Sequence, residues 1–244
     1  MDGRLIPVDL GTPLSFCCSP QVVCFNECCR DLNQFLTPYD VLRLKNSLGL
    51  PSHQFLAGYT RSHTGPGSGL PVVTLIPGDP DRLTCPFVTP AGCRVYPDRP
   101  SSCRAYPLVR LLRRSRETGE VLEEYGLLQE AHCRGFVAAR LQTVREWISD
   151  QGLMEYTAEN DRLLEVISLK ARLSSKSLPP SLAEHVYTAL YDLDQFRERL
   201  SGGSLPHVLE PDPDGFEAAR KDELALLRLG LMWVKQLFTQ TFAR

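Results

Sequence analysis

Nine cysteines are the residues best able to do chemistry in this chain, and they are not scattered. Cys17, Cys18, Cys24, Cys28 and Cys29 form a first group; Cys85, Cys93, Cys103 and Cys133 form a second. The last 111 residues contain none. Thiolates are soft, strongly donating ligands that favour zinc or iron–sulfur over magnesium or calcium. A secreted disulfide scaffold would be smaller, carry a signal peptide and use an even count. In a reducing compartment, clustered thiols serve more often as ligands. The spacing therefore predicts a metal-binding set. A loop folds the first group around a centre, and distant segments bring the remaining ligands. Metal then cross-links the N-terminal half, and its binding energy becomes folding energy.

Adjacent Cys28 and Cys29 carry further information. Successive side chains of an extended chain point to opposite sides, so a vicinal pair can serve two centres or sit at their junction. Setting aside one of Cys17 and Cys18 leaves eight thiols, enough for two four-thiolate sites. One site with additional structural or catalytic thiols fits the same count. Standard signatures are absent. No Cys-x2-Cys pair marks a zinc finger or ribbon, and the bacterial ferredoxin run fails. A Cys-x3-Cys-x2-Cys pattern begun at Cys24 fails at Asp31. Arg30, Arg94, Arg104 and Arg134 each follow a cysteine directly. Four thiolates around zinc or an oxidised four-iron cluster leave a net charge of about −2. Neighbouring guanidinium groups can offset it and donate to sulfur; the plainer alternative is solvated arginines paired with surface carboxylates.

Other residues carry weaker signals. His132 beside Cys133 reads as a flanking donor more readily than as a ligand. His53, His63, His185 and His207 are spread out and expected at the surface. Arg110, Arg113, Arg114 and Arg116 precede Glu117, Glu120, Glu123 and Glu124, which predicts a self-compensating exposed hairpin or loop. The run Gly65 to Gly69 lacks the Lys-Ser/Thr of a phosphate loop and is expected to be a plain loop. No Gly-x-Ser-x-Gly supports a hydrolase.

The elements that must position the thiols are legible in parts. Residues 1–36 look irregular. Thr37 as cap, Pro38 at the first helical position and Asp40 in the first turn predict a helix with a Val41, Leu42, Leu44 and Leu48 stripe, ended by Gly49. Ser52 can cap a second short helix. Val72 to Ile76 reads as a strand, and so does 121–131. The segment Cys85 to Cys103 is punctuated by Pro and Gly and is expected to be loop-like, with one short helix near Pro100. From about 143 the texture is amphipathic helix. Thr143 and Glu146 form a capping box, and Asp214 to Glu217 repeats that logic before a long helix with Leu224, Leu227, Leu231, Val234, Leu237 and Phe238 at helical spacing.

At 244 residues and 43% hydrophobic content the chain can build a core without metal, at least in its helical part. Balanced charge, with 27 basic and 29 acidic residues, gives no basic field for nucleic acid. The N-terminus has no signal-peptide core and no 18-residue apolar run exists. A cytoplasmic location without membrane or nucleic-acid partners is expected. The leucine stripes after 143 are core or a surface for an unidentified protein partner.

The run Cys18-x5-Cys24-x3-Cys28-Cys29-Arg30 followed by Leu36-Thr37-Pro38-Tyr39-Asp40-Val41 resembles the start of YkgJ-family cysteine-cluster proteins. The second half agrees: Cys85-Pro86-Phe87, Gly92-Cys93-x-Val95-Tyr96, Arg99-Pro100-x2-Cys103-x2-Tyr106-Pro107 and His132-Cys133. The resemblance covers roughly residues 15–135. It implies a zinc- or iron-chelating domain with Cys18, not Cys17, as the family ligand. The layout is also similar to the longer flagellin lysine N-methylases, although no Gly-rich fingerprint for S-adenosylmethionine follows a strand here.

The expected architecture is α+β, mostly helical: an irregular metal-stabilised cysteine-rich lobe over 1–140 packed on a helical C-terminal region over 141–244. The expected ligands are Cys18, Cys24, Cys28, Cys29, Cys85, Cys93, Cys103 and Cys133. An iron–sulfur cluster in a structural or redox role is the first reading. A structural zinc module and a protein methyltransferase-like enzyme are the alternatives.

Overall fold

The computed structural model describes residues 3–30, 33–114, 120–136, 140–205 and 213–242. Helices dominate and several small antiparallel sheets accompany them, which is the expected α+β class. The chain forms two compact units, each assembled from two separate stretches. One comprises Met1–Asp31 and Gly78–Thr157; the other comprises Leu32–Pro77 and Ala158–Arg244. This division differs from a single cut near 140: residues 32–77 join the helical unit and 141–157 join the unit that holds every cysteine. Among the described residues no helix is long and apolar enough to cross a membrane.

The cysteine-bearing unit is framed by a three-stranded antiparallel sheet in the order Gly3–Val8, Val121–Glu130, Leu108–Arg114. The first strand corrects the reading of residues 1–36 as irregular. Its six residues contain Pro7 and are mostly exposed, so no alternation announces it. It pairs on one side only, where proline is tolerated. The third strand carries the basic residues Arg110 and Arg113. It forms the expected hairpin with its acidic partner: Arg113 meets Glu124 at 2.8 Å and Arg110 meets Glu123. Arg116 and Glu117 lie outside the described residues. A second, two-stranded sheet pairs Pro13–Ser15 with Leu141–Thr143. The helix Val144–Asp150 then starts at the predicted box, with the Glu146 N–H donating to Thr143 Oγ1 (3.2 Å) and the Thr143 N–H to Glu146 Oε2 (2.6 Å). Leu14, Phe16, Leu108, Leu127, Val144 and Trp147 fill the space these elements enclose.

The helical unit holds the sheet Phe35–Leu36, Pro71–Leu75, Thr60–Thr64, with the middle strand central. Its first helix, Pro38–Ser47, begins at the predicted Thr37 cap, where Asp40 also reaches back to the Thr37 N–H, and Gly49 follows it at φ +65°. Ser52 does not cap. It is the first residue of the helix Ser52–Tyr59, its N–H donates to Asp194 Oδ2 (2.7 Å) and its hydroxyl to Asp192 Oδ1 (2.5 Å). The cap is thus supplied by a distant carboxylate, which sequence proximity cannot show. Residues Gly65 to Gly69 close a plain turn, with the Gly69 N–H on Gly65 O at 2.8 Å. The long helix is Glu223–Phe242, and Asp222 caps it through the Ala225 N–H (2.6 Å). Asp214 instead falls within the preceding helix Pro213–Lys221, and its side chain lies outside the described residues. Phe55, Val73, Val166, Val186, Phe196 and Trp233 are among the side chains at the centre of this unit.

Candidate metal centre

All nine cysteines are free thiols and all belong to one unit. Backbone hydrogen bonds bring the two sequence groups together. From Ser19 the chain runs through tight turns into the single turn Glu27–Cys29, entered through Asn26 at φ +70°. Asn tolerates that conformation better than most residues, and its amide donates to Thr89 O at 2.9 Å. Thr89 belongs to the small hairpin Val88–Thr89/Gly92–Cys93. Gly92, at φ +115°, lies against the Phe25 ring, which a Cβ there would meet at 3.0 Å. The Cys85 N–H donates to Cys29 O (2.8 Å), and the Val88 N–H to Cys85 O (3.2 Å). Cys29, Cys85 and Cys93 are thereby held in one neighbourhood. Elsewhere in the same unit the Cys17 N–H donates to Gly135 O (2.9 Å), and the Arg134 N–H donates to Cys24 Sγ (3.0 Å). That ties Cys17, Cys18, Cys24 and Cys133 together. Cys103 rides on the short helix Ser101–Ala105, the one helix expected near Pro100.

The thiols sense one another. Burial first, then Cys28, Cys24, Cys133 and Cys17, push the Cys18 thiol up to about 11. A hydrogen bond from Cys29 brings Cys28 down to about 7, and the same bond pushes Cys29 far up. Burial chiefly raises Cys85 and Cys93; the Arg99 and Arg94 guanidinium groups pull Cys93 back. Cys18, Cys28 and Cys103 are exposed and the others half-buried.

Of the four arginines that follow cysteines, Arg94 lies 5.4 Å over the Phe87 ring with its charge on Cys93. Arg30 pairs with Glu27 at 3.4 Å, and the Arg134 side chain turns to Ala131 O (2.9 Å). Arg104 is 9% exposed. It donates to Gln151 O (2.7 Å), to Pro97 O and to the Tyr156 hydroxyl (3.3 Å), and lies 4.5 Å over the Tyr156 ring. Sequence reasoning missed Arg99. It is 8% exposed, sits 3.9 Å over the Tyr96 ring and donates to Tyr96 O (2.6 Å) and to Gln151. The signal was present in Arg99-Pro100-x2-Cys103, but no adjacent cysteine drew attention to it. Among the described residues neither Arg99 nor Arg104 makes an ion pair with a carboxylate. A buried cation without a counter-charge is costly, and the negative groups that bear on Arg99 include Cys103 and Cys93.

Tyr106 was also missed as a site residue. Its hydroxyl is buried beside Cys133 and Glu130. Burial, then Cys133 and Glu130 beside it, push the phenol far up. His132 is exposed and 3.8 Å from Glu130, the flanking position expected of it. His53 and His63 are exposed as expected. His185 is not: it is half-buried, edge-on to Trp233 at 6.1 Å. His207 lies outside the described residues.

Among the described residues no three His, Cys, Asp or Glu side chains already stand as a set that could hold a metal ion. The thiols are neighbours, not a closed coordination sphere. Their chemistry nonetheless fits a thiolate-bound metal. The donors are soft, and two buried guanidinium groups lack a carboxylate. A coupled folding of loop and metal closes such sets on binding.

Residues 17–134 match the family CxxCxxCC, described as "Putative zinc- or iron-chelating domain". No curated protein and no solved structure matches the chain.

Proposed function

We propose that this chain, whose residues 17–134 match a putative zinc- or iron-chelating domain, binds iron as an iron–sulfur centre through Cys18, Cys24, Cys28, Cys29, Cys85, Cys93, Cys103 and Cys133. The observation that carries the reading is the burial of Arg99 and Arg104 without carboxylate partners, in the unit that gathers every thiol. A thiolate-bound metal supplies the missing negative charge. The Arg134 N–H on Cys24 Sγ is the kind of donor that tunes a cluster's potential. When bound, the group supplies one-electron chemistry or a cross-link. The chain's own residues offset its charge, donate to its sulfurs and shield part of it from water. Cys17 is the spare thiol, and the reading requires a reducing compartment such as the cytoplasm.

Zinc is the second reading, favoured by the family description, which names both metals. Metal and acid-labile sulfide analysis of protein purified without air separates the two. Iron with sulfide and a broad absorption band in the blue is the expected result. Zinc without sulfide overturns the iron–sulfur reading and makes the cysteines a scaffold. Cys28→Ser and Cys29→Ser are each expected to lose iron; normal iron in both overturns the ligand assignment.

A further inference from the structure

The three-stranded sheet of the cysteine-bearing unit ends on the strand Leu108–Arg114, which among the described residues has a neighbouring strand on one side only. The strand Gly3–Val8 at the other side stops where Val8 meets Tyr125. Beyond Tyr125 two strands continue alone, Leu111 to Arg114 beside Glu124 to Val121. Adjacent residues of a strand point to opposite faces. Here both faces are open: Leu111 is 42% exposed and Leu112 37%, and Val121 and Leu122 across from them are exposed too. A two-stranded ribbon is marginal in water; a third strand or a packed face makes it stable. Aliphatic side chains on both faces of an open edge suit the addition of another strand.

The outward backbone groups of that edge follow from one hydrogen bond. The Leu128 N–H donates to Pro107 O at 2.8 Å. Bonded and non-bonded pairs alternate along an antiparallel ladder. Val109, Leu111 and Arg113 therefore turn their backbone groups to the neighbouring strand, and Leu108, Arg110, Leu112 and Arg114 turn theirs outward. When a second copy of this edge adds antiparallel about a two-fold axis, outward groups meet outward groups only if the axis passes through a residue. With the axis at Leu111 the whole strand overlaps. Leu108 then stands opposite Arg114, Val109 opposite Arg113 and Arg110 opposite Leu112 of the other copy, so every arginine position meets an aliphatic one. Moving the axis to Arg110 sets that arginine against itself, and moving it to Leu112 sets Arg110 against Arg114. Like charges directly opposite are destabilising. The strand is thus complementary to its own reverse in its longest register. Arg110 and Arg113 keep Glu123 and Glu124 across their own hairpin, and their stems are free to cover the second copy's leucine and valine.

We infer that the strand Leu108–Arg114 is the contact between two copies of this chain, which joins their sheets into one about Leu111. The pairing adds on the order of eight backbone hydrogen bonds, the number found in specific interfaces.

The test is sedimentation velocity on the full chain, metal-loaded as purified and kept reduced, from low to high micromolar concentration. A monomer–dimer equilibrium is expected. Leu112→Lys suits the monomer, where Glu123 stands directly across the hairpin, but sets a cation against Arg110 twice in the dimer. It is expected to weaken association about tenfold or more and to leave the circular dichroism spectrum unchanged. Photo-cross-linking locates the contact. A p-benzoylphenylalanine in place of Leu111 is expected to give a covalent dimer joined within 108–114, and one in place of Val23, exposed elsewhere in the same unit, to give none. A chain that stays monomeric at every concentration overturns the inference and makes the arginines guards of an unpaired edge. A dimer that Leu112→Lys leaves intact, or a cross-link from position 111 that falls outside 108–114, overturns it as well and moves the contact to another surface.

Discussion

Arg104 has the burial of a core residue and the charge of a surface one. Its guanidinium reaches two backbone carbonyls, the Tyr156 hydroxyl and the Tyr156 ring, so it ties the short helix that carries Cys103 to the segment around 151–156. Truncation to Ala strands those acceptors and removes packing from the stem. Arg104→Ala is expected to lower the stability of the cysteine-bearing unit by about 3 kcal/mol. Arg104→Lys recovers little, because an ammonium cannot reproduce a planar fork. Urea unfolding followed through the fluorescence of Trp147, which packs in that unit's core, checks both; an Arg104→Lys variant as stable as the parent would show that charge alone matters. At this scale the sequence was partly readable. The cysteines announce themselves by type and spacing. Arg99 and Tyr106 matter through burial and partners contributed by residues far along the chain, and those do not appear in any local pattern.

At the scale of elements, local chemistry was readable wherever it is local. The cap Thr37 and the box Thr143–Glu146 start helices as the sequence predicts, because donor and acceptor lie three residues apart. Thr143→Ala is expected to cost about 1 kcal/mol, measured by the same unfolding experiment. The cap of Ser52–Tyr59 was unreadable, since it comes from Asp194, 142 residues away. The strand Gly3–Val8 was unreadable because its partner, not its own pattern, makes it a strand. The helices Pro180–Leu190 and Glu223–Phe242 cross closely at Gly230, where an added Cβ would stand 2.4 Å from Ala189 O. Helix propensity alone would make Gly230→Ala stabilising by about 1 kcal/mol. Against a backbone oxygen the overpacking wins, and a net loss of about 1–2 kcal/mol is expected. A raised melting temperature for Gly230→Ala would mean that the two helices separate at little cost.

At the scale of the whole molecule, each unit can be questioned separately. Every thiol lies in one unit, while the other is held by an apolar core and by carboxylates with close donors. Burial would raise the Asp194 carboxyl, but the Ser52 N–H and hydroxyl hold it below its ordinary 3.8. Lys45 and Asn46, at 2.7 and 2.8 Å, likewise hold Glu223 below 4.5. In both, the unfolded chain binds protons more readily than the folded one. Their contribution is therefore complete above about pH 4.5 and is lost as the pH falls through the depressed folded values. Far-UV circular dichroism during acid titration is expected to show helix loss in that window, and Asp194→Asn is expected to make stability less dependent on pH there. An unchanged acid profile in Asp194→Asn would show that other carboxylates govern it.

The chain passes between its two units at 31/32, 77/78 and 157/158, and this interleaving sets an order of events during synthesis. Cys17 through Cys29 leave the ribosome first, yet Cys133 and the Thr143–Trp147 segment that completes their unit come more than a hundred residues later. Residues 32–77 wait longer still, because Lys45 finds its carboxylate only when Glu223 is made. Neither unit can close on a half-made chain. A metal ion arriving early would meet five of the nine thiols, and a chain cut between Thr157 and its last helix would hold the whole cysteine-bearing unit while leaving the helical one unfinished.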